Sequence, residues 1–303
     1  MLRRSLLFVP GIAKARFDKA RASGADTILF DLEDSVPPDA KQAAREHVCA
    51  TLGEGGFGDS EPAVRINAPG TPHHDADLRA VAAAGARAIM VPKSERVEDL
   101  RAAAATLDAL EVESRILALL ETPRGVVRAL EVGEATPRVD ALCFGHADFA
   151  LEMGVPADDP GSGVLFHARC SVAMAARACD VQPVDNVCLA VRDEQAFRDD
   201  VRLGIQLGFE GKLCIHPSQV AIANELYTPT PEQVEYADRV VSGWQTARSE
   251  GLGVFTLDGK MVDAPLVRAQ ERILARARRA GLIAESTRAE TTPASVKSLE
   301  APK

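Results

Sequence analysis

Short apolar runs alternating with Ala-, Arg- and Glu-rich stretches constrain this chain more than any other feature. The runs fall near 5–9, 27–32, 63–66, 88–91, 115–120, 140–144, 184–189 and 213–215 and read as strands. Helical patterns lie between them, near 12–22, 39–52, 75–84, 95–109, 123–134, 163–180 and 193–208, with a further one from about 217. Eight such units favour a closed parallel (β/α)8 TIM barrel over an open sheet. The 303 residues suffice for one barrel, expected over 1–228, plus an extension. Only 4% of the chain is aromatic against 46% hydrophobic, so Ala, Val and Leu must fill the core.

A C-terminal helical extension with a lid segment is expected over 229–284, around Gly251-Leu-Gly-Val-Phe-Thr-Leu-Asp-Gly-Lys-Met-Val-Asp263. The Ser/Thr/Pro-rich tail over 285–303 is expected to be disordered. Net charge is −9, which argues against general nucleic-acid or membrane binding but leaves room for an anionic substrate in a local cationic cleft. The six cysteines show no Cys-x-x-Cys spacing and read as reduced core residues. The first apolar run is short and broken by Pro10-Gly11, which fits a strand better than a signal peptide. No run reaches membrane-spanning length, so a soluble, cytoplasmic protein is expected.

In a barrel of this kind the chemistry sits where strands end. Polar groups recur there: Asp31 and Glu33, Arg65 and Asn67, Lys93, Glu121, Asp148, Asp185 and Asn186, and His216. Glu121 and Asp148 end consecutive runs, and neighbouring strands lie about 5 Å apart. Two carboxylates held so close repel unless a proton or a cation sits between them. Mg²⁺ fits, because it uses one or two carboxylates and leaves positions for substrate oxygens. Taken singly, Glu121 also reads as a helix-start acid and Asp148 as a helix cap.

Arg65 is placed to grip a carboxylate or an enolate oxygen in a bidentate way, or to pair with Asp31 or Glu33, which share one strand face. Both roles are compatible. Lys93 suits an ion pair or a phosphate contact better than imine chemistry. Gly53-Glu-Gly-Gly-Phe-Gly58 lacks a Gly-Lys-Ser/Thr ending and reads as a loop. His73-His74 lies in a turn, and His216 reads equally as a structural or a catalytic group. Asp263 is either a cap before Pro265 or an acid on a Gly-hinged lid.

Taken in order, Phe8-Val-Pro-Gly, Asp31-Leu-Glu-Asp, Arg65-Ile-Asn, Pro92-Lys-Ser, Glu121-Thr-Pro-Arg-Gly, Gly145-x-x-Asp148, Gly211-Lys-x-Cys-Ile-His-Pro-x-Gln219 and Asp258-Gly-Lys-Met-Val-Asp263 form a recognisable set. It resembles the citrate lyase β-subunit-like proteins of the HpcH/HpaI aldolase (malyl-CoA/citramalyl-CoA lyase) superfamily over about residues 3–280. The resemblance implies a Mg²⁺-dependent carbon–carbon lyase acting on a 3-hydroxyacyl-CoA such as malyl-CoA or citramalyl-CoA, giving acetyl-CoA and an α-keto acid. It implies Glu121 and Asp148 as metal ligands, Arg65 and Glu121 as catalytic and substrate-binding groups, and Pro10, Asp31, Glu33 and Lys93 around the substrate. It further implies a homotrimer or hexamer in which Asp263 acts in trans as acid or base. Arg3, Lys14, Arg16 and Lys19 become candidates for CoA phosphates. Alternatives are a citrate lyase β-subunit acting on a citryl-acyl carrier protein, an aldolase using free aldehydes, and a non-catalytic CoA-binding subunit. His146-Ala147 departs from the commoner Ala-Glu before the metal aspartate.

Overall fold

The structure, a computed structural model, describes residues 2–284. Eight parallel strands close into the expected barrel in sequential order: β1 (Ser5–Pro10), β2 (Thr27–Asp31), β3 (Glu61–Arg65), β4 (Ala88–Val91), β5 (Arg115–Leu120), β6 (Val139–Phe144), β7 (Gln182–Asp185) and β8 (Gly211–Cys214). Closure comes from β1 pairing with β8, Leu6 opposite Leu213 and Leu7 opposite Cys214.

Strand side chains alternate between two faces. One set faces the barrel axis and packs as a small cluster that includes Leu6, Leu29, Ala63, Met90, Leu117 and Cys143. The other set joins the large apolar layer under the surrounding helices, with Leu7, Ile28, Val64, Ile89 and Leu142. Small Ala side chains on β3, β4 and β6 leave space that Leu, Met and Phe8 fill, so the barrel closes with few aromatics. The same alternation carries the axial side of β2, β3 and β5 onward to Asp31, Arg65 and Glu121 at the C-terminal mouth. The pairing of Asp31 with Arg65 across β2 and β3 sets two of these groups side by side.

The opposite end is closed by charge. Arg3 is buried and donates to Glu61 at 2.6 and 2.8 Å and to Asp140 at 2.7 Å, and Thr27 donates to the same glutamate. Arg3 is therefore a plug at the N-terminal end and not a contact for CoA phosphates. Between β7 and β8, Arg169 grips Asp185 at 2.8 and 2.6 Å, Lys212 reaches Asp185 at 3.1 Å, and both cations also pair with Asp200. Asp185, at the end of a strand, is thus spent on structure, as is Asn67, which bonds Asp77.

Three details differ from the sequence reading. β7 runs Gln182–Asp185, so 186–189 lie in the following loop: only a short stretch there has neighbours on both sides to bond. The helical pattern over 123–134 is two short helices, Pro123–Val127 and Ala129–Gly133, that meet at Arg128. A helix at His146–Met153, ended by Gly154 in the left-handed conformation, was not anticipated.

From Thr228 onward the chain forms a second compact unit. Helix Pro231–Ser249 opens with a capping box between Thr230 and Gln233. The Gly-rich segment is a hairpin, β9 (Phe255–Leu257) and β10 (Lys260–Val262), turned by Asp258-Gly259 with both residues at positive φ. Val240, Phe255, Val262 and Val267 bury its apolar side. Among the described residues no helix is long and apolar enough to cross a membrane. The tail over 285–303, expected to be disordered, lies outside the described residues.

Removing one partner of a fully buried ion network leaves a charge unpaired and costs about 3–5 kcal/mol. Lys212→Met is expected to lose stability on that scale in urea unfolding followed by circular dichroism. A loss too small to shift the midpoint would show that Asp185 and Asp200 need only Arg169.

Candidate active site

Arg65 ends β3 with its guanidinium half-enclosed by acids. Its Nε and Nη2 each donate to Asp31 at 2.8 Å, while Nη1 lies 3.2 Å from Glu33 and 3.1 Å from Asp34. The ring of Phe8 lies beneath it, 4.9 Å from the guanidinium carbon. Asp31 also accepts from the backbone N–H groups of Glu33 and Ser35. Burial opposes its charge, yet the bonds from Arg65 outweigh that and hold the carboxyl below its ordinary range. Asp31 thus has little capacity left for a ligand; what it does is fix the plane of Arg65.

Glu33 is buried and less well served. Nη1 of Arg65 is near enough to attract it but does not align for a hydrogen bond, so Glu33 Oε2 has no donor among the described residues. Burial pushes its pKa up to about 7, against the pull of Arg65. Glu121 behaves likewise. Burial first, then the charges of Glu33 and Asp148, raise it to about 8, although Arg65 and a backbone N–H oppose the rise.

That N–H belongs to Lys93, which donates to Glu121 Oε1 at 2.9 Å. Lys93 adopts a left-handed conformation, φ 49°, uncommon for a side-chain-bearing residue. The turn it makes after β4 aims its backbone at Glu121 while its ammonium lies 3.7 Å from Asp148. Burial lowers the Lys93 pKa, and Asp148, Glu33 and Glu121 more than restore it. One residue therefore links both carboxylates, and its side chain has the ion-pair role expected from the sequence.

Asp148 stands in the first turn of helix His146–Met153, directly after β6, and is partly exposed. Gly145 connects strand and helix where no side chain fits: a Cβ there would lie 2.6 Å from Glu121 Cβ and 2.8 Å from its Oε2. Among the described residues no three or more His, Cys, Asp or Glu side chains form a ready-made metal cage. Two hard carboxylates of unequal burial, beside space kept open by a glycine, suit a cation that takes few protein ligands and completes its shell with water or substrate oxygens. Mg²⁺ is such a cation.

A cleft of about 720 Å³ opens beside Arg65. Phe8, Pro10, Asp31, Asp34, Arg65 and His216 are among its walls, and Arg16 and Lys19 line it with exposed cations. Glu121, Asp148 and Lys93 are not among the lining residues; they adjoin it through Arg65 and Glu33. His216 is exposed, and its Nδ1 meets the backbone N–H and the hydroxyl of Ser218 at 3.2 and 2.7 Å. Asp263 belongs to the second unit, where it caps helix Ala264–Arg279 by accepting from the Leu266 N–H. Phe8 beneath Arg65, the N–H of Lys93 and the close passage of Gly145 were not foreseen. Only the last had a sequence signal, the glycine three residues before Asp148.

The sequence pattern of the HpcH/HpaI aldolase/citrate lyase family matches residues 4–217. Citrate lyase subunit beta of Escherichia coli K12 is 35% identical over 287 residues, covering 92% of this chain and 95% of the relative. A (3S)-malyl-CoA thioesterase of Cereibacter sphaeroides is 38% identical over 266 residues, covering 86% and 89%. Among solved structures, CitE of Mycobacterium tuberculosis in complex with magnesium, acetoacetate and coenzyme A superposes with a TM-score of 0.74 at 32% identity, over 92% of this chain and 98% of that one.

The raised carboxyl of Glu121 makes a prediction about pH. Between its ordinary value of 4.5 and about 8 the folded protein holds a proton that the unfolded chain has released. Metal-free stability is therefore expected to fall as pH rises through that window. In thermal melts at pH 6 and pH 8.5, Glu121→Gln should flatten this decline and melt above wild type at the higher pH. Equal pH slopes in the two proteins would show that Glu121 is an ordinary ionised carboxylate.

Proposed function

Because the chain belongs to the HpcH/HpaI aldolase/citrate lyase family, we propose that it is a Mg²⁺-dependent carbon–carbon lyase that cleaves or forms a 3-hydroxyacyl-CoA of the malyl-CoA or citramalyl-CoA type. The observation that carries this reading is the pair Glu121 and Asp148, set on successive strand ends and joined through Lys93 beside the Arg65 cleft. In this reading Glu121 and Asp148 hold the cation. Once bound, it supplies Lewis-acid stabilisation of negative charge on the oxygens of the keto-acid part.

The remaining work falls to the chain itself. Arg65 is held in one plane by Asp31 and Phe8, so it presents its guanidinium to the cleft without having to reorganise. There it stabilises the carboxylate of the keto acid and the thioester enolate that C–C cleavage leaves behind. Lys93 keeps Glu121 aimed and offsets the charge of Asp148. Pro10 and Phe8 form apolar wall for the acyl portion, and Arg16 and Lys19 are placed to meet CoA phosphates. Asp263, supplied by a second copy in a trimeric or hexameric assembly, takes the hydroxyl proton as the C–C bond breaks and returns it to the enolate carbon to give acetyl-CoA. The CitE structure with magnesium, acetoacetate and coenzyme A supports a cation, a keto acid and a CoA sharing this fold.

The citrate lyase subunit beta relative covers as large a share of this chain as the thioesterase relative, which supports a citrate lyase β-subunit as the second reading, its expected substrate a citryl group on an acyl carrier protein. Condensation of acetyl-CoA or propionyl-CoA with glyoxylate or pyruvate, followed by mass spectrometry, tests the proposal. Activity with free CoA thioesters that EDTA abolishes and Mg²⁺ restores is expected; activity only when an acyl carrier subunit is present would transfer the assignment to the second reading. Turnover that ignores EDTA would remove the metal from it.

Arg65→Lys cannot reproduce the two-pronged contact with Asp31, and its kcat/KM should drop by about 10²–10³, the cost of losing one aligned oxyanion donor. Gly145→Ala should raise the Mg²⁺ concentration needed for half-maximal activity, because the added methyl displaces Glu121. Unchanged Mg²⁺ dependence in that variant would separate Glu121 from the cation.

A further inference from the structure

The segment Gly211-Lys-x-Cys-Ile-His-Pro-x-Gln219 leads from β8 into one wall of the cleft. Its last residue works as a clamp. Gln219 is buried, 2% exposed, in the first turn of helix Pro217–Tyr227. Its Oε1 accepts from the backbone N–H groups of Ile215 and His216 at 2.9 and 3.3 Å, and its Nε2 donates to the carbonyl of Cys188 at 3.1 Å. One side chain thus joins the turn after β8 to the loop after β7. Both segments supply cleft wall, Val187 from the loop and Ile215, His216 and Pro217 from the turn.

The imidazole of His216 is held as well. Ser218 donates its backbone N–H to Nδ1 at 3.2 Å, and its hydroxyl lies 2.7 Å from the same nitrogen. A ring nitrogen that accepts an N–H carries no proton of its own, so in the neutral ring the proton is on Nε2. That second nitrogen has no partner among the described residues. His216 lines the cleft and Ser218 does not, so the tied edge of the ring is turned from the cleft and the donor edge toward it.

We propose that His216 is a hydrogen-bond donor of fixed tautomer, held toward the cleft by Ser218 and Gln219, and that its Nε2–H selects a neutral carbonyl oxygen. In the lyase reading, on which this choice of ligand rests, the oxygen is the thioester carbonyl of the acyl-CoA. The surroundings favour that acceptor. Anionic oxygens find full positive charge elsewhere in the cleft, at Arg65, Arg16 and Lys19. An uncharged N–H flanked by Val187, Ile215 and Pro217 matches an oxygen of partial charge. When C–C cleavage leaves the thioester as an enolate, charge grows on that same oxygen and the bond strengthens. Gln219 touches no substrate in this scheme; it is a positioning residue that sets where the His216 donor stands.

Two measurements on the full chain test the proposal. Nitrogen-15 NMR of labelled histidines, with His216 assigned by its absence from His216→Gln, is expected to show Nε2 protonated and Nδ1 bare in the neutral ring. The reverse tautomer, or an average of both, overturns the proposal whatever the enzyme catalyses. Calorimetric titration with Mg²⁺ and no keto acid then compares acetyl-CoA with S-ethyl-CoA, which lacks the carbonyl oxygen. Wild type should prefer acetyl-CoA by about 2–12-fold, the range of one neutral hydrogen bond. His216→Gln, whose amide N–H reaches the place of Nε2, should keep the preference, and His216→Asn, which reaches only as far as Nδ1, should lose it. Gln219→Leu should lose it with His216 intact, while Gln219→Glu, which still accepts both backbone N–H groups, should retain it; a merely structural glutamine would cost stability and leave the preference alone. Equal affinity of wild type for the two ligands, or a preference that survives His216→Asn or Gln219→Leu, overturns the proposal. Failure of every protein to bind either CoA derivative would remove the lyase reading and the carbonyl with it, an outcome the NMR result keeps distinct from an error in the tautomer.

Discussion

Five carboxyl groups and two cations share the barrel mouth. Asp31, Glu33, Asp34, Glu121 and Asp148 face Arg65 and Lys93, and each of the seven acts on others in the set. Were every acid ionised, the cluster would hold an excess of three negative charges in a partly buried space. Low dielectric makes that arrangement costly, so the excess must be reduced. Burial first, and like-charged neighbours second, raise Glu33 to about 7 and Glu121 to about 8, so without a metal protons reduce the excess. Two protons and one divalent cation carry the same charge. A divalent cation would therefore meet the same electrostatic demand.

The charge elsewhere in the barrel is balanced. Arg169 and Lys212 meet Asp185 and Asp200, and Arg3 at the closed end meets Glu61 with help from Asp140. These networks hold strands in register and leave nothing for a ligand. Asp185 ends a strand as Glu121 follows one, and sequence position alone does not separate them. What separates them is the partner that each finds: Asp185 bonds two buried cations, whereas Glu121 accepts one backbone N–H and has Glu33 and Asp148 as well as Arg65 near it.

Much of the architecture was legible because a two-residue period survives in a single sequence. Leu29, Asp31 and Glu33, or Leu117, Leu119 and Glu121, lie on one parity, so the inward set and its polar ends could be read before any coordinates. The shorter β7, the broken helix at Arg128 and the helix at His146–Met153 depend on which backbone groups find neighbours, and no periodicity reports that. Arg3 shows the same limit. Its place beside the first strand suggested a phosphate contact, yet it lies at the strand's beginning, and a parallel barrel keeps the two ends of a strand on opposite faces of the protein. Lys14, Arg16 and Lys19 follow the first strand; Arg16 and Lys19 line the cleft.

Arg65 shows how the fold converts this charge arrangement into a tool. A guanidinium free to rotate would have to be ordered each time a substrate arrived. Here Asp31 takes two of its donors in fork geometry, backbone N–H groups hold Asp31, and the Phe8 ring supports the cation from below. The ordering is completed during folding, so an anion entering the cleft would meet a cation already aligned. Asp31 takes the donors that Arg65 could otherwise turn toward Glu121, so Arg65 acts on that carboxyl only through its charge. The same ion pair that positions the arginine therefore preserves the charge imbalance of the mouth.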